Sequence, residues 1–442
     1  MLELNNRHTG IFLKSKILEI LALYHVSLEQ IFTVTCDNGA NMIAAVKQLQ
    51  SELQTLFNTP TDDDGCTIPD EQLEWTESVE REFSHTITVV RCAVHTMQLS
   101  VSDVIKAYDV ELRKCTLVAN NCRKIAYKSV FSEESLPPLY SKTRWGGIFE
   151  MLKYFSEREE LFSDLGQQYP ELDLMEQWQF VKEYVEAFEP VYIATKKMQA
   201  VHTSLNEFYL TWMKTIMQIS LIQNNRFVEA LTQALKQRLK VLKENIVVKA
   251  ALLIDPRINY LNSRFFGPEE KEEIRAFIIA TSERIQKFKA RLQTSTQPSL
   301  STCNNNTQNS PSDFDIFFTE LYGGSLPATC VESDQLSPDR FVRQLNALDL
   351  EAHQNSTFDV WHYWMSRKYT HPELCEIATL LLAVPSNQVS VERAFSALSL
   401  VLSDKRTKLN DDTLENILLI KLNKCTFEKI LPTLSQWNEE NL

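Results

Sequence analysis

The sequence has few residues that break helices and none of the long apolar segments that mark membrane proteins. Its 442 residues include only nine glycines, whereas leucine, glutamate, lysine and glutamine are abundant, and this balance favours helices over a turn-rich β protein. No stretch reaches the roughly eighteen apolar residues of a membrane span, and the first residues do not combine a basic head with an apolar run. We therefore predict a mostly helical, soluble, intracellular protein without a membrane partner.

Disulfide and zinc-finger patterns are absent as well. The nine cysteines are odd in number, scattered, and without a CxxC pair, so we expect reduced thiols. The CxxC…HxxxH spacing of a DNA-binding zinc finger does not occur in this sequence. The 58 Asp and Glu exceed the 45 Lys and Arg, which gives a net charge of −13. This charge argues against broad adhesion to nucleic acid but leaves room for a local basic groove.

Two short β-branched segments, each followed by a helical pattern, are the clearest strand signals. Ile31–Cys36 (IFTVTC) ends at Asp37, and Thr86–Arg91 (TITVVR) ends at Cys92. A strand, helix, strand, helix unit pairs its strands in parallel through a right-handed crossover. The sequence therefore predicts that Asp37 and Cys92 emerge at the same edge of one sheet.

The rest of the chain is predicted to be helical. Residues 145–290 show helical segments and no convincing strand, whereas residues 293–312 are polar, rich in Ser, Thr and Asn, and expected to form a flexible loop. Apolar residues recur at helical spacing again in the last hundred residues, notably over Leu374–Leu382 and Leu414–Leu422.

Six motifs follow one another along the chain. They are RHTG, TCDNGANM, RCAVH, KTRWGG, ALLIDPR and a long final stretch that begins with VPSNQVSVERAF. Each motif alone is weak, because patterns such as DNxxN occur often by chance. Taken in order, they resemble the hAT superfamily of DNA transposases and their domesticated relatives, and the resemblance covers nearly the whole chain.

The resemblance implies a fold class of α/β plus mostly α, with an incomplete RNase H-like catalytic domain interrupted by a large α-helical insertion. Residues 1–144 would form the partial RNase H-like domain, without its first strands. Residues 145–357 would form the insertion, including the loop 293–312. Residues 358–442 would form the C-terminal dimerisation region that completes the fold.

Two acids match catalytic positions of the family. Asp37 matches the second catalytic aspartate, and Glu392 matches the closing glutamate. Such acids hold Mg²⁺, which prefers oxygen ligands, and a pair of ions about 4 Å apart stabilises the attacking and leaving oxygens. Without the resemblance, Asp37 is expected to be a turn or helix-capping residue and Glu392 a solvated surface residue.

The first catalytic aspartate of the family lies upstream of the region that matches RHTG, and this sequence begins too late to include it. We therefore expect no cut-and-paste activity from this chain alone and no cofactor, with Mg²⁺ on Asp37 and Glu392 only if some activity is retained. The missing strands would also leave an open edge on the Ile31–Cys36 strand. This part is expected to be loosely held or completed by another chain.

Four further residues lie in motifs near this site. The resemblance implies that Cys92, His95, Arg144 and Trp145 support the active-site edge or contact DNA, with Trp145 stacking on a displaced base. Two alternatives stay open. Cys92 and His95 could be half of a zinc site, and Trp145 could be buried between helices.

The final stretch resembles the dimerisation region of the family, whose interface needs apolar helical stripes. The same residues could instead serve the core of one chain. The candidates are Trp361, Trp364, Ile377, Leu380, Leu381, Phe395, Leu398, Leu414, Ile417 and Leu418.

These observations favour a truncated or domesticated hAT transposase-derived protein that self-associates, or pairs with related transposase-like chains, and possesses a surface for DNA. The alternative is a fragment of an active Mg²⁺-dependent transposase whose zinc finger and first catalytic aspartate lie upstream. A nuclear location is expected from the family alone, because no compact Lys/Arg import cluster is present.

Overall fold

The computed structural model describes residues 9–37, 39–57, 87–131, 135–139, 145–200, 203–295, 338–402 and 409–423. The described residues are mostly helical, as predicted. They group into two compact units. Of the described residues, those in 9–57, 87–249 and 381–423 belong to the first unit, and those in 250–380 belong to the second. None of the described helices is long and apolar enough to cross a membrane.

Two strands and sixteen α-helices lie in the described residues. The strands are β1 (Thr33–Cys36) and β2 (Thr88–Arg91). In chain order the helices are α1 (Gly10–Leu23), α2 (Ala40–Phe57), α3 (Ala93–Ile105), α4 (Asp109–Asn121), α5 (Trp145–Ser156), α6 (Glu159–Gln168), α7 (Trp178–Ala200), α8 (Leu205–Ser220), α9 (Val228–Lys243), α10 (Ile246–Leu253), α11 (Pro268–Ser295), α12 (Pro338–Ala347), α13 (Val360–Ser366), α14 (Pro372–Ala383), α15 (Val389–Val401) and α16 (Asp411–Leu422).

The two strands pair in parallel, as predicted, and form a two-stranded sheet. Thr33 lies opposite Thr88, and Cys36 lies opposite Arg91. No other described strand pairs with the free edge of β1. Both strands end where predicted, at Cys36 and Arg91, but the pairing begins only at Thr33 and Thr88, two residues after the predicted starts.

A small apolar core covers one face of this sheet. Val46 and Leu49 of α2 pack with Ile87, and Ile17 and Leu18 of α1 close the cluster from outside. The N-terminus of α1 is capped by the Thr9 hydroxyl, which accepts a hydrogen bond from the Phe12 backbone N–H at 3.3 Å. The order strand, helix, strand, helix read from the sequence is therefore present in the first unit.

The predicted insertion is helical throughout its described residues, from α5 to α12, and contains no strand there. Tyr184 and Phe188 of α7 stack at 4.2 Å between ring centroids, and Phe227 meets both rings edge-on. Such aromatic contacts add stability beyond the area that they bury. Of the predicted loop 293–312, the first residues belong to α11, which continues to Ser295, and the rest lies outside the described residues.

In the second unit, the motif ALLIDPR forms a buried ion pair. The Arg257 guanidinium donates to both carboxylate oxygens of Asp255, with Nε–Oδ1 at 3.0 Å and NH2–Oδ2 at 2.6 Å. The side chains of Asp255 and Arg257 are 0% and 4% exposed. Two charges this deeply buried need such bidentate pairing, because either one alone would be strongly destabilising. This motif therefore has a structural role.

Candidate functional site

The carboxyl ends of β1 and β2 meet at one edge of the sheet, which we call the carboxyl edge (residues 36–37 and 91–95). The Cys92 backbone N–H donates to the Cys36 carbonyl at 2.8 Å and joins the two strands there. Asp37 follows β1 directly, and Cys92 follows β2 directly. The prediction that these two residues emerge at the same edge is confirmed.

A segment from near the end of the chain holds this edge in place. We call Pro385–Gln388 the pinning segment. The Thr35 hydroxyl donates to the Pro385 carbonyl at 2.8 Å, and the Gln388 side-chain amide donates to the Thr35 carbonyl at 3.0 Å. The Ala93 backbone N–H donates to the Ser386 carbonyl at 2.8 Å. These bonds bring the N-terminus of α15, and Glu392 with it, to the carboxyl edge.

Two buried polar residues fix the pinning segment from its other side. The Ser386 hydroxyl donates to the Thr203 carbonyl at 2.6 Å, and the Asn387 amide donates to the Met198 carbonyl at 3.0 Å. Buried polar groups are stable only when hydrogen-bonded in this way. The sequence analysis did not assign these roles. The available signal was three consecutive polar residues, Ser-Asn-Gln, between two apolar helices.

Asp37 forms a turn at the start of α2. Its Oδ1 accepts the Gly39 backbone N–H at 2.9 Å, although the side chain is exposed. A Cβ atom at position 39 would lie 2.8 Å from this oxygen, so the glycine leaves room for the carboxylate. The turn role that the sequence left open is therefore present, and it engages one carboxylate oxygen.

Electrostatic contacts place both acids beside a pair of buried thiols. The pKa of the Cys36 thiol is raised, first by burial and then by the negative charge of Asp37. The pKa of the Cys92 thiol is raised chiefly by burial, with a smaller contribution from Glu392, while the backbone N–H groups of His95 and Gln388 oppose the shift. Asp37, which follows β1, and Glu392, in the first turn of α15, thus lie at the same edge.

The residues present do not fit a metal site. In the ranges that the structure describes, no group of three or more His, Cys, Asp or Glu side chains is arranged to hold a metal ion. Asp37 and Glu392 are two acids, fewer than the three that the resemblance to the transposase family implies. Cys92 is buried and His95 half-buried, and the same absence leaves them without the further ligands that zinc requires.

Trp145 lies in an aromatic core rather than on the surface. Its ring is 4% exposed and contacts Phe149, Phe188 and Tyr192 at centroid distances of 6.5, 6.5 and 6.2 Å. A base could stack on this ring only after α5 and α7 separated. The structure therefore shows the buried arrangement that the sequence left open. Arg144 lies outside the described residues.

Part of the predicted dimerisation set belongs to the core of its own chain. Trp364 is fully buried, and its indole N–H donates to the Ile254 carbonyl at 3.1 Å. Ile377 and Leu381 are each 1% exposed, and Leu380 of the same helix is half-buried. The alternative of intrachain packing holds for these residues. Trp361, one helical turn before Trp364, is instead exposed.

The remaining members form a hairpin of α15 and α16. Its inner face consists of Ala397, Val401, Leu414 and Leu418, against which Leu398 and Ile417 pack. All four inner residues keep 7–8% exposure, so this core is thin. The outer side of the hairpin carries further large apolar residues that are exposed. They are Val391, Phe395, Leu400, Leu402, Leu419, Ile420 and Leu422.

Comparisons with known proteins agree with the motifs. Residues 338–423 match the hAT family C-terminal dimerisation region, a range that begins upstream of the predicted start at 358. The human zinc finger BED domain-containing protein 4 is 24% identical over 429 residues. A candidate AC transposase of Zea mays is 21% identical over 445 residues. The chain is thus similar to hAT-family transposases and to a BED zinc finger protein, and the family model itself matches its C-terminal part.

The matches cover different shares of the two chains. They include 90% of this chain and 34% of the human protein, and 94% of this chain and 51% of the maize protein. The chain thus spans about a third and about half of the lengths of these relatives. A second maize relative, a candidate AC9 transposase, is 25% identical over 206 residues, or 44% of this chain and 23% of its own length.

Proposed function

We propose that this protein self-associates through the outer side of the α15–α16 hairpin and works as a hAT transposase-derived dimer that does not cut DNA on its own. The observation that carries the proposal is the apolar outer side of the hairpin within the matched dimerisation region. A partner copy of this chain would cover that side. Such dimers normally use one self-complementary patch.

The apolar pattern of α16 supports a further partner. Leu414, Ile417 and Leu418 face α15, whereas Leu419 and Ile420 point outward and are both 53% exposed. A helix that is apolar on nearly every side is usually buried on nearly every side. On α15, Val391 and Phe395 are exposed and lie one helical turn apart, and the exposed Leu402 directly follows the helix. The two helices together offer an interface core of aromatic and aliphatic anchors.

Light scattering after gel filtration tests the proposal. We expect wild-type protein at micromolar concentration to elute as a dimer, and Phe395→Asp or Ile420→Asp to shift it to monomer, because each variant places a charge in the apolar interface. Ile193→Asp on α7 is the matched control, since Ile193 is similarly exposed but lies outside the hairpin. A wild-type monomer at these concentrations, or folded Phe395→Asp and Ile420→Asp dimers, would overturn the proposal.

The absence of catalysis is proposed because the described residues supply two acids where three are needed. The second candidate is a fragment of an active Mg²⁺-dependent transposase, and the common placement of Asp37 and Glu392 at the carboxyl edge favours it. Purified chain incubated with Mg²⁺ and DNA carrying transposon ends distinguishes the two. Strand cleavage that Asp37→Asn abolishes would establish the second candidate.

DNA association is proposed for the carboxyl edge. The helices α2, α3 and α15 all begin there, and their N-termini supply backbone N–H groups and partial positive charge that favour phosphate. The helix α9 also carries basic residues, namely Lys236, Arg238, Lys240 and Lys243. It is a weaker candidate, because Arg238 is paired with Asp103. A mobility-shift titration at several salt concentrations tests this surface, because phosphate contacts give a steep salt dependence. A nuclear location remains a proposal that rests on the family, and imaging a tagged chain tests it.

A further inference from the structure

A cavity lies on the far side of β2 from β1, and among the residues of the carboxyl edge only Arg91 lines it. It has a volume of about 270 Å³ and lies between α2, β2, α8, α9 and α10 within the first unit. Its walls are largely apolar. They include Ile43, Val89, Phe208, Leu242 and Val248. The proposed dimer uses none of the residues that line this cavity, and the proposed DNA surface shares only Arg91 with it.

The polar groups in the cavity belong to the outer edge of β2. Two of the carbonyls that face outward there are already bonded, since the Gln50 amide donates to the Ile87 carbonyl and the Asn245 amide donates to the Val89 carbonyl at 2.7 Å. Gln50 belongs to α2, and Asn245 lies in the turn between α9 and α10. An extended peptide could not add to this edge, because its N–H groups would find these acceptors occupied.

The N–H groups of the same edge remain available. The N–H groups of Thr88 and Cys92 donate to β1, and in a parallel ladder alternate residues face opposite edges. The N–H groups of Val89 and Arg91 therefore face the cavity side, and no described residue accepts a hydrogen bond from them. The backbone thus contributes hydrogen-bond donors to the cavity, whereas the Ile87 and Val89 carbonyls are already bonded.

Two cationic side chains line the mouth of the cavity. Lys47 of α2 and Arg91 of β2 are both exposed there, and none of the described lining residues is acidic. Neither cation forms an ion pair with a described residue. We propose that this cavity binds a small amphipathic anion, a carboxylate or phosphate monoester carried on a flat apolar body. The oxyanion meets Lys47, Arg91 and the strand N–H groups, and the apolar body lies against Phe208 and the valines.

Titration calorimetry on the whole chain tests the proposal with three probes that share a naphthalene ring. Naphthalene-2-carboxylate and 1-naphthyl phosphate carry the charge, and 2-naphthylmethanol does not. We expect the charged probes to bind saturably and about tenfold more tightly than the alcohol, because hydrogen bonds to charged groups are the stronger ones. The tighter of the two charged probes identifies the oxyanion that the cavity prefers.

Variants locate the binding. Lys47→Gln and Arg91→Gln are each expected to weaken the charged probes about tenfold. Lys240→Gln is the matched control, because it removes the same charge from an exposed position on α9 outside the cavity. Val241 lines the cavity and is half-exposed, so Val241→Trp places a large side chain in its opening. This variant is expected to abolish binding of all three probes.

Three results would overturn the proposal. One is the absence of saturable binding by either charged probe. Another is an affinity for the alcohol equal to that for the charged probes. The third is a loss of affinity for the charged probes in Lys47→Gln and Arg91→Gln that is no greater than in Lys240→Gln. Circular dichroism of each variant confirms that the comparison is made on folded protein.

Discussion

Gln388 is the residue on which the position of Glu392 most directly depends. Its side-chain amide holds the Thr35 carbonyl, and its backbone carbonyl accepts the Glu392 N–H at 3.2 Å in the first turn of α15. One side chain thus couples the open edge of β1 to the helix that carries Glu392. Removing it leaves a strand carbonyl without its partner, which costs more than a surface contact.

Gln388→Ala is expected to lower the free energy of unfolding by about 1–2 kcal/mol, because the Thr35 carbonyl loses its hydrogen bond. Urea unfolding followed by circular dichroism measures the change. Gln233→Ala on the exposed side of α9 is the control and should stay within about 0.5 kcal/mol of wild type. Equal effects of the two substitutions would show that the pinning bond is dispensable.

Cys115 makes stability depend on pH in the alkaline range. Burial in α4 raises the pKa of its thiol to about 12. Its folded pKa lies above its unfolded value, so its contribution is complete below about pH 9 and is lost as pH rises toward 12. We expect the fall in unfolding free energy from pH 8 to pH 11 to be shallower in Cys115→Ala, by about 2–3 kcal/mol.

Val118→Ala is the matched control for Cys115→Ala. Val118 is buried in the same helix, so both substitutions remove packing, but only one removes a titrating thiol. Both variants should therefore be less stable than wild type at pH 8. An unchanged alkaline slope in Cys115→Ala would contradict the role assigned to the thiol.

Among the elements, β1 has two unlike edges. The N–H groups of Val34 and Cys36 face β2, and those of Thr33 and Thr35 face the other way. We expect amide exchange to alternate along the strand, with Val34 and Cys36 exchanging at least about tenfold more slowly. Nuclear magnetic resonance resolves the four amides. Uniformly slow exchange across Ile31–Cys36 would show that the second edge is paired as well.

How well the sequence predicts an element depends on how far apart along the chain its contacting residues lie. The helices α14 and α16 follow from apolar spacing, because one helical face decides each of them. The apolar spacing of Met97, Val104 and Cys115 is typical of one continuous helix, but the structure has two helices with a 3₁₀ turn at Lys106–Tyr108 between them. No glycine or proline marks that break.

The candidate site was predictable in part. The motifs identified Asp37, Cys92 and Glu392, and the parallel pairing placed the first two at one edge. The burial of Trp145 and Trp364 was not predictable, because a tryptophan at helical spacing suits a core and an interface equally well. Nor could local pattern reveal that Thr35 pairs with Gln388, since this contact joins residues 353 positions apart.

For the whole molecule, self-association makes stability depend on protein concentration. If the hairpin is covered only in the dimer, raising the concentration of wild-type protein about a hundredfold should raise the thermal midpoint by roughly 2–5 °C. Phe395→Asp should show no such rise, because it unfolds as a monomer at every concentration. Differential scanning fluorimetry over the concentration series measures both. A wild-type midpoint independent of concentration would contradict a dimer stabilised at this surface.

The pinning segment is made late in the synthesis of the chain. After Thr35 has been added, the ribosome must add 353 more residues to reach Gln388, which at typical rates takes roughly 20–70 s. Throughout that interval the edge of β1 lacks the side chain that bonds to it, and unpaired strand edges promote the aggregation of nascent chains. We therefore expect the synthesis of this protein to require chaperones that bind its early residues. Messages truncated before the Gln388 codon should yield aggregates rather than shorter soluble chains.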